Sequence, residues 1–199
     1  MSYTEIYGFD REGNAYSQAE VKNSWRGAMA IWGILEEKYL PPYIPEYIKC
    51  ANWYYPGISY DEVAKRNGFK PTRLSPSFGK DNQTQEIWDL ADNEKVSATD
   101  KIVLLTTFDK VLVKREDLTK VIAAFNAFEG ETSLKEQAII LQEMLEDEAC
   151  IAVGWNQTSV NADTWLTYNY NEEAEEYLPY NCLEQTEHYW LFDELAATE

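Results

Sequence analysis

Across Val111-Leu112-Val113-Lys114-Arg115-Glu116-Asp117-Leu118-Thr119-Lys120-Val121-Ile122-Ala123-Ala124-Phe125-Asn126-Ala127-Phe128 the apolar pattern changes period. Val111 to Lys114 reads as a short strand. From Glu116 or Asp117, Leu118, Val121, Ile122 and Phe125 recur three and four residues apart, the spacing of a helix that buries one stripe. Gly130 separates this helix from a second, capped at Thr132 or Ser133 and running to about Asp147. Its Leu134, Ala138, Leu141 and Leu145 share one face. Cys150-Ile151-Ala152-Val153-Gly154-Trp155 then reads as a buried strand. Helices alternating with isolated short strands predict an α+β fold, a small mixed or antiparallel sheet covered by several helices.

Toward the N-terminus, Thr4–Phe9 and Ala15–Val21 flank the turn-rich Asp10-Arg11-Glu12-Gly13-Asn14 and read as a β-hairpin. A helix is expected from about Trp25 to Tyr39, with Trp25, Ala28, Met29, Trp32 and Leu35 as its stripe. Ile31 and Ile34 lie off that stripe, so the helix is expected to be largely buried. Pro41, Pro42 and Pro45 stop it, since proline cannot donate the backbone bond that continuation needs. Ser59-Tyr60-Asp61-Glu62 has the form of a capping box and opens a short helix from Tyr60 to Asn67. Gln85 to Ala91 reads as another. Ser97 caps a stretch whose Ile102–Leu105 run is either a helix turn or a strand. At the other end a polar loop is expected over Asn156–Asp163, and a last strand over His188–Phe192. A single α+β domain over residues 1–199 is the expected organisation.

Charge divides the chain unevenly. Residues 129–199 hold 17 acids and one base, Lys135, whereas residues 1–128 hold 18 acids and 16 bases. Nearly all of the net −18 therefore belongs to the last third. Aromatic content of 14% and hydrophobic content of 45% argue that this third is folded, since disorder accompanies few aromatics. Glu136, Glu143 and Asp147 fall on the outward side of their helix, about 10 and 6 Å apart along its axis, a spacing comparable with phosphates on a nucleic acid. Glu172, Glu173, Glu175 and Glu176 are interleaved with Tyr170 and Tyr177. Carboxylates can stand in for phosphates while aromatic rings anchor where bases would stack. These nine residues are the candidate partner-binding set. Such a surface repels nucleic acid and anionic lipid and attracts a basic protein. Solubility alone is the competing reason for charge of this size.

Other chemistry finds little support. One histidine, His188, excludes a multi-histidine metal centre. Cys182 and His188 could pair as nucleophile and base, but Glu184 and Glu187 between them oppose a thiolate. Gly79-Lys80 is followed by Asp81 where a phosphate loop needs Ser or Thr. No catalytic residue, cofactor or metal is expected, and the chain is not expected to be an enzyme. Three cysteines without a C-x-x-C pair give no disulfide framework. With neither a signal-like start nor a long apolar run, a cytoplasmic protein is expected. From Val63 to Lys80 there are five bases and no acid, a basic island that could balance the acid tail within the fold or across a homodimer. An aromatic cleft built from Trp25, Trp53, Trp88 or Trp155 is the basis of an alternative reading, a small-ligand-binding or protein-interaction module.

Asn23-Ser24-Trp25-Arg26-Gly27-Ala28-Met29, Thr107-Phe108-Asp109-Lys110-Val111-Leu112-Val113 and Val153-Gly154-Trp155-Asn156-Gln157-Thr158-Ser159 resemble stretches of uncharacterised proteins carried by phages and mobile elements of gut bacteria. In charge, size and aromatic content the chain is similar to anti-restriction and anti-CRISPR inhibitors. The likeness implies an inhibitor of a host nucleic-acid-targeting defence protein, acting in the host cytoplasm on a basic partner such as a CRISPR effector or restriction enzyme.

Overall fold

The computed structural model describes residues 3–22, 26–40, 43–44, 73–74, 82–108, 110–158, 169–178 and 180–197. In chain order, β1 (Tyr3–Phe9) and β2 (Ala15–Lys22) form a hairpin and α1 (Ala28–Tyr39) follows. β3 (Tyr43–Ile44) and β4 (Arg73–Leu74) pair in parallel, and α2 (Asn82–Trp88) and α3 (Ala98–Leu105) lead to β5 (Val111–Lys114). A 3-10 turn, Arg115–Asp117, joins β5 to α4 (Leu118–Ala127), and α5 (Leu134–Glu146) precedes β6 (Ala152–Thr158). Then come β7 (Asn169–Asn171), β8 (Glu176–Leu178), α6 (Cys182–Gln185), β9 (Tyr189–Trp190) and α7 (Leu191–Ala197).

Packing groups the chain into two units, Met1–Trp32 with Val96–Glu199, and Gly33–Lys95. The first contains a five-stranded mixed sheet in the order β2-β1-β6-β5-β9. Every neighbouring pair in it is antiparallel except β5 and β9. The α+β fold with a small mixed sheet covered by helices is therefore the one expected.

Register decides what each sheet face buries, because side chains alternate sides along a strand. Ile6 lies opposite Trp155, and Val113 opposite Val153, on one face. Tyr7, Phe9, Leu112 and Ala152 lie on the other and pack around Cys182, with Leu183, Tyr180 and Trp190 at its edge. On the first face Trp155 is fully buried, its ring edge-on to Phe125 of α4 with centroids 6.2 Å apart. Its indole nitrogen donates to Gln137 Oε1 of α5 at 3.1 Å. Helices α4 and α5 thus cover one side of the sheet and α6 the other.

Several elements depart from their sequence reading for identifiable reasons. α1 begins at Ala28, and of its apolar residues only Ile31 and Leu35 are buried, while Met29 is 64% exposed. Two positions four apart form a narrow stripe, so the helix is not largely buried. Ile102–Leu105 is helical: Ser97 Oγ accepts from the Asp100 amide at 3.1 Å and starts α3. β6 continues over Asn156–Thr158, where a loop was expected, because Tyr3 to Glu5 supply backbone partners and Asn156 donates to Glu5 Oε2 at 3.0 Å. At the C-terminal end only Tyr189 and Trp190 are extended, and Leu191 turns inward as the start of α7. In α5, Met144 and Gln137 are buried, and Leu145 is only half-buried. Trp25, Trp53, the Tyr60–Asn67 helix and, apart from Arg73 and Leu74, the Val63–Lys80 island lie outside the described residues.

Two glycines respond oppositely to a methyl group. A Cβ on Gly154 would sit 2.5 Å from Leu112 Cδ2 and 3.3 Å from the Val111 carbonyl, whereas one on Gly33, inside α1, meets nothing within 4 Å. Gly154→Ala is expected to cost about 1–3 kcal/mol through overpacking. Gly33→Ala is expected to gain up to about 1 kcal/mol from helix propensity. Thermal melting of the two variants checks this, and a Gly154→Ala protein that melts with the parent contradicts the sheet packing described.

Candidate functional site

α5 carries three of the exposed acids, Glu136, Glu143 and Glu146, and both of its ends are held by arginines. At the N-terminal end, the Arg26 carbonyl accepts from the Ser133 amide at 2.8 Å. Arg26 Nη2 reaches the Thr132 carbonyl at 3.2 Å and Glu136 Oε1 at 3.1 Å. At the C-terminal end, Arg115 donates to the carbonyls of Leu145, Asp147 and Cys150. A helix leaves its last four carbonyls without intrahelical donors, and one guanidinium here serves two at this end, those of Leu145 and the capping Asp147. Burial of Leu134, Gln137, Ala138, Leu141 and Met144 turns Lys135, Glu136, Ile139, Gln142, Glu143 and Glu146 outward.

The predicted binding residues divide among three kinds of environment. Glu136 and Glu143 project from α5, seven residues apart and so on one side of it. Glu136 is already paired with Arg26. Asp147 ends the helix, its Oδ1 accepting from the Ala149 amide at 2.9 Å. Glu172, Glu173, Glu175 and Glu176 are exposed at the bend of the β7–β8 hairpin, with Glu175 at φ 52°, where glycine is favoured. In that hairpin Tyr170 and Tyr177 stand opposite each other in register.

A further acid group lies around α6 and α7: Glu184, Glu187, Asp193 and Glu194 are all exposed. Lys110 Nζ pairs with Glu187 at 2.8 Å and Lys114 Nζ with Asp193 at 3.6 Å. The Lys110 hydrogen bond and charge hold the Glu187 carboxyl below its ordinary value. Lys114 also sits over the Trp190 ring at 5.3 Å, and Lys120 over Phe192 at 4.7 Å. Every described acid from Glu129 onward is exposed, yet α5 and α6 cover opposite faces of the sheet. The acids consequently occupy separate surfaces.

Cys182 and His188 do not form a nucleophile and base. The thiol is buried, and burial pushes its pKa up, away from the thiolate. His188 Nδ1 lies 3.0 Å from the Thr186 carbonyl, and its ring is edge-on to Trp190. Of the tryptophans suggested for a cleft, Trp155 belongs to the sheet core and Trp88 is 46% exposed in the other unit. Among the described residues, no group of three or more His, Cys, Asp or Glu could hold a metal ion, and no helix is long and apolar enough to cross a membrane.

Sequence reasoning missed the arginine clamps, the Gln137–Trp155 bond and Tyr16. A signal for Gln137 was present: it falls three residues after Leu134 and one before Ala138, inside the apolar stripe. Arg115 carries no local signal, because its targets lie 30 to 35 residues away. No family model matches this chain, and neither a curated protein nor a solved structure matches it.

Tyr16 lies across Gly8, where a Cβ would come within 2.3 Å of its ring, and its hydroxyl is buried beside Cys150. Burial first, and the neighbouring Cys150 second, push its ionisation above the ordinary 10.0. Burial likewise raises Cys182 above 9.0. Both groups keep their protons longer folded than unfolded, so above about pH 9 the folded state binds more protons and stability falls as pH rises. The urea midpoint is expected to decline from about pH 9 upward, and Tyr16→Phe is expected to lessen the decline above about pH 10. A parent and a Tyr16→Phe protein with identical alkaline profiles would contradict this placement of Tyr16.

Proposed function

We propose that this chain is a phage or mobile-element inhibitor of a host nucleic-acid-targeting defence protein, of the anti-CRISPR or anti-restriction type. It presents carboxylates in the basic groove where that protein holds phosphates. The observation that carries the reading is the exposure of every described acid in the last third of the chain, together with the outward placement of Glu143 and Glu146 on a helix clamped at both ends. Clamping matters because a rigid array of charge loses less entropy on binding than a mobile one. The chain is a binding protein in this reading, without catalysis or cofactor, and works in the host cytoplasm.

A second reading, an interaction module whose acidity serves solubility, is favoured by one observation. The acids sit on separate surfaces, and Glu136, Glu187 and Asp193 are paired with cations of the same chain. A decoy concentrates its charge on the surface that meets the partner, whereas solubility is served by charge on all sides.

Plaque assays in bacteria that carry a CRISPR effector or a restriction enzyme separate the two readings. The parent chain is expected to restore phage growth, and Glu143→Lys with Glu146→Lys, or Glu172→Gln, Glu173→Gln, Glu175→Gln and Glu176→Gln together, to reduce that effect about tenfold or more. Binding to the purified defence protein is expected to weaken steeply as salt rises from about 50 to 300 mM. If both sets of changes leave inhibition intact, the acid surfaces are not the binding surface.

A further inference from the structure

Ile139 does not fit a surface that only imitates phosphates. It is 64% exposed in the middle of α5, and its spacing places Glu136 one turn before it, Gln142 and Glu143 one turn after and Glu146 two turns after. A single exposed isoleucine is ordinary on a protein surface. This one lies along the centre of a carboxylate row, where a partner drawn in by charge would cover it.

From that juxtaposition we infer that the outward face of α5 docks a basic amphipathic helix of the partner protein. An apolar side chain of that helix packs on Ile139, and its lysines or arginines meet Glu143 and Glu146, with Glu136 at the edge. The inference rests on the acid surface being the partner-binding one, and names which part of it binds and what it accepts. Charge complementarity supplies the occupant: the face carries three carboxylates, Glu136 paired with Arg26 and Glu143 and Glu146 beyond it, against one base of the helix itself, Lys135. Glu143 and Glu146 lie about 6 and 10 Å beyond Ile139 along the axis, which matches an apolar residue on a partner helix with bases four and seven residues away from it. Lys135 at one end and the Arg26 pairing of Glu136 shift the attraction toward the C-terminal half of α5, and so favour one direction of docking.

Two synthetic helical peptides of equal positive charge test this by calorimetry with the full chain. Both carry lysines four and seven residues from one position, which is leucine in one peptide and serine in the other. The leucine peptide is expected to bind about tenfold more tightly, since burying one aliphatic side chain is worth roughly that factor. Ile139→Ser is expected to abolish this advantage, with an unchanged melting temperature and little effect on the serine peptide. Equal binding of the two peptides by the parent, or an advantage that survives Ile139→Ser, overturns the inference. If Glu143→Lys with Glu146→Lys abolishes binding of both peptides while Ile139→Ser changes nothing, the acid reading stands and the apolar contact falls. If the leucine peptide binds the charge-reversed protein as well as it binds the parent, the acid reading itself falls.

Discussion

The indole of Trp155 joins the sheet to its helical cover. It stands on the strand that pairs with both β1 and β5, is fully buried, packs against Phe125 and donates to Gln137. Truncating a buried aromatic of this size costs about 3–5 kcal/mol. Without its partner the buried Gln137 amide would add a further cost of about 1–3 kcal/mol. One side chain thereby sets the rotation of α5 about its own axis. With Leu134, Gln137, Ala138, Leu141 and Met144 turned inward, Glu143, Glu146 and Ile139 have only the outward direction left to them.

That rotation links the core to the surface chemistry. The same sheet that orients α5 also separates it from the acids near α6, which rest on the opposite face. A chain with so much negative charge in one third of its length would be strained by self-repulsion if all of it met on one face. Spreading the acids over separate surfaces, and pairing Glu136, Glu187 and Asp193 with Arg26, Lys110 and Lys114, relieves that repulsion. The proposed interface is accordingly a part of the acid third. The outward side of α5 combines carboxylates with an apolar contact, which the paired acids around α7 do not offer.

Much of the fold was legible in the sequence where the period of the apolar pattern was clear. The strand at Val111, the two helices after it and the hairpin at the N-terminal end match their readings closely; each helix buries one stripe in a simple repeat, and Val111–Val113 is a short apolar run buried on both faces. Legibility failed where a distant partner decides the outcome. β6 runs past Trp155 because β1 pairs with it, and nothing near Asn156 announces that. α1 reads as apolar over much of its girth, yet of its apolar residues buries only Ile31 and Leu35, since composition says how much can be buried and packing says how much is. For the acid residues, helical spacing placed Glu136 and Glu143 together. It could not show that Arg26, 110 residues before Glu136, holds one of them.

Native-state hydrogen exchange resolved by residue is the most direct test of the account, because it asks whether α5 is a rigid part of the core or a loosely docked helix. The amides of α5 and β6 are expected to open with one common free energy, close to that of global unfolding. α5 amides that exchange well before those of β6, at a separate and lower free energy, would mean that Trp155 does not hold the helix and that its acid face is not preorganised.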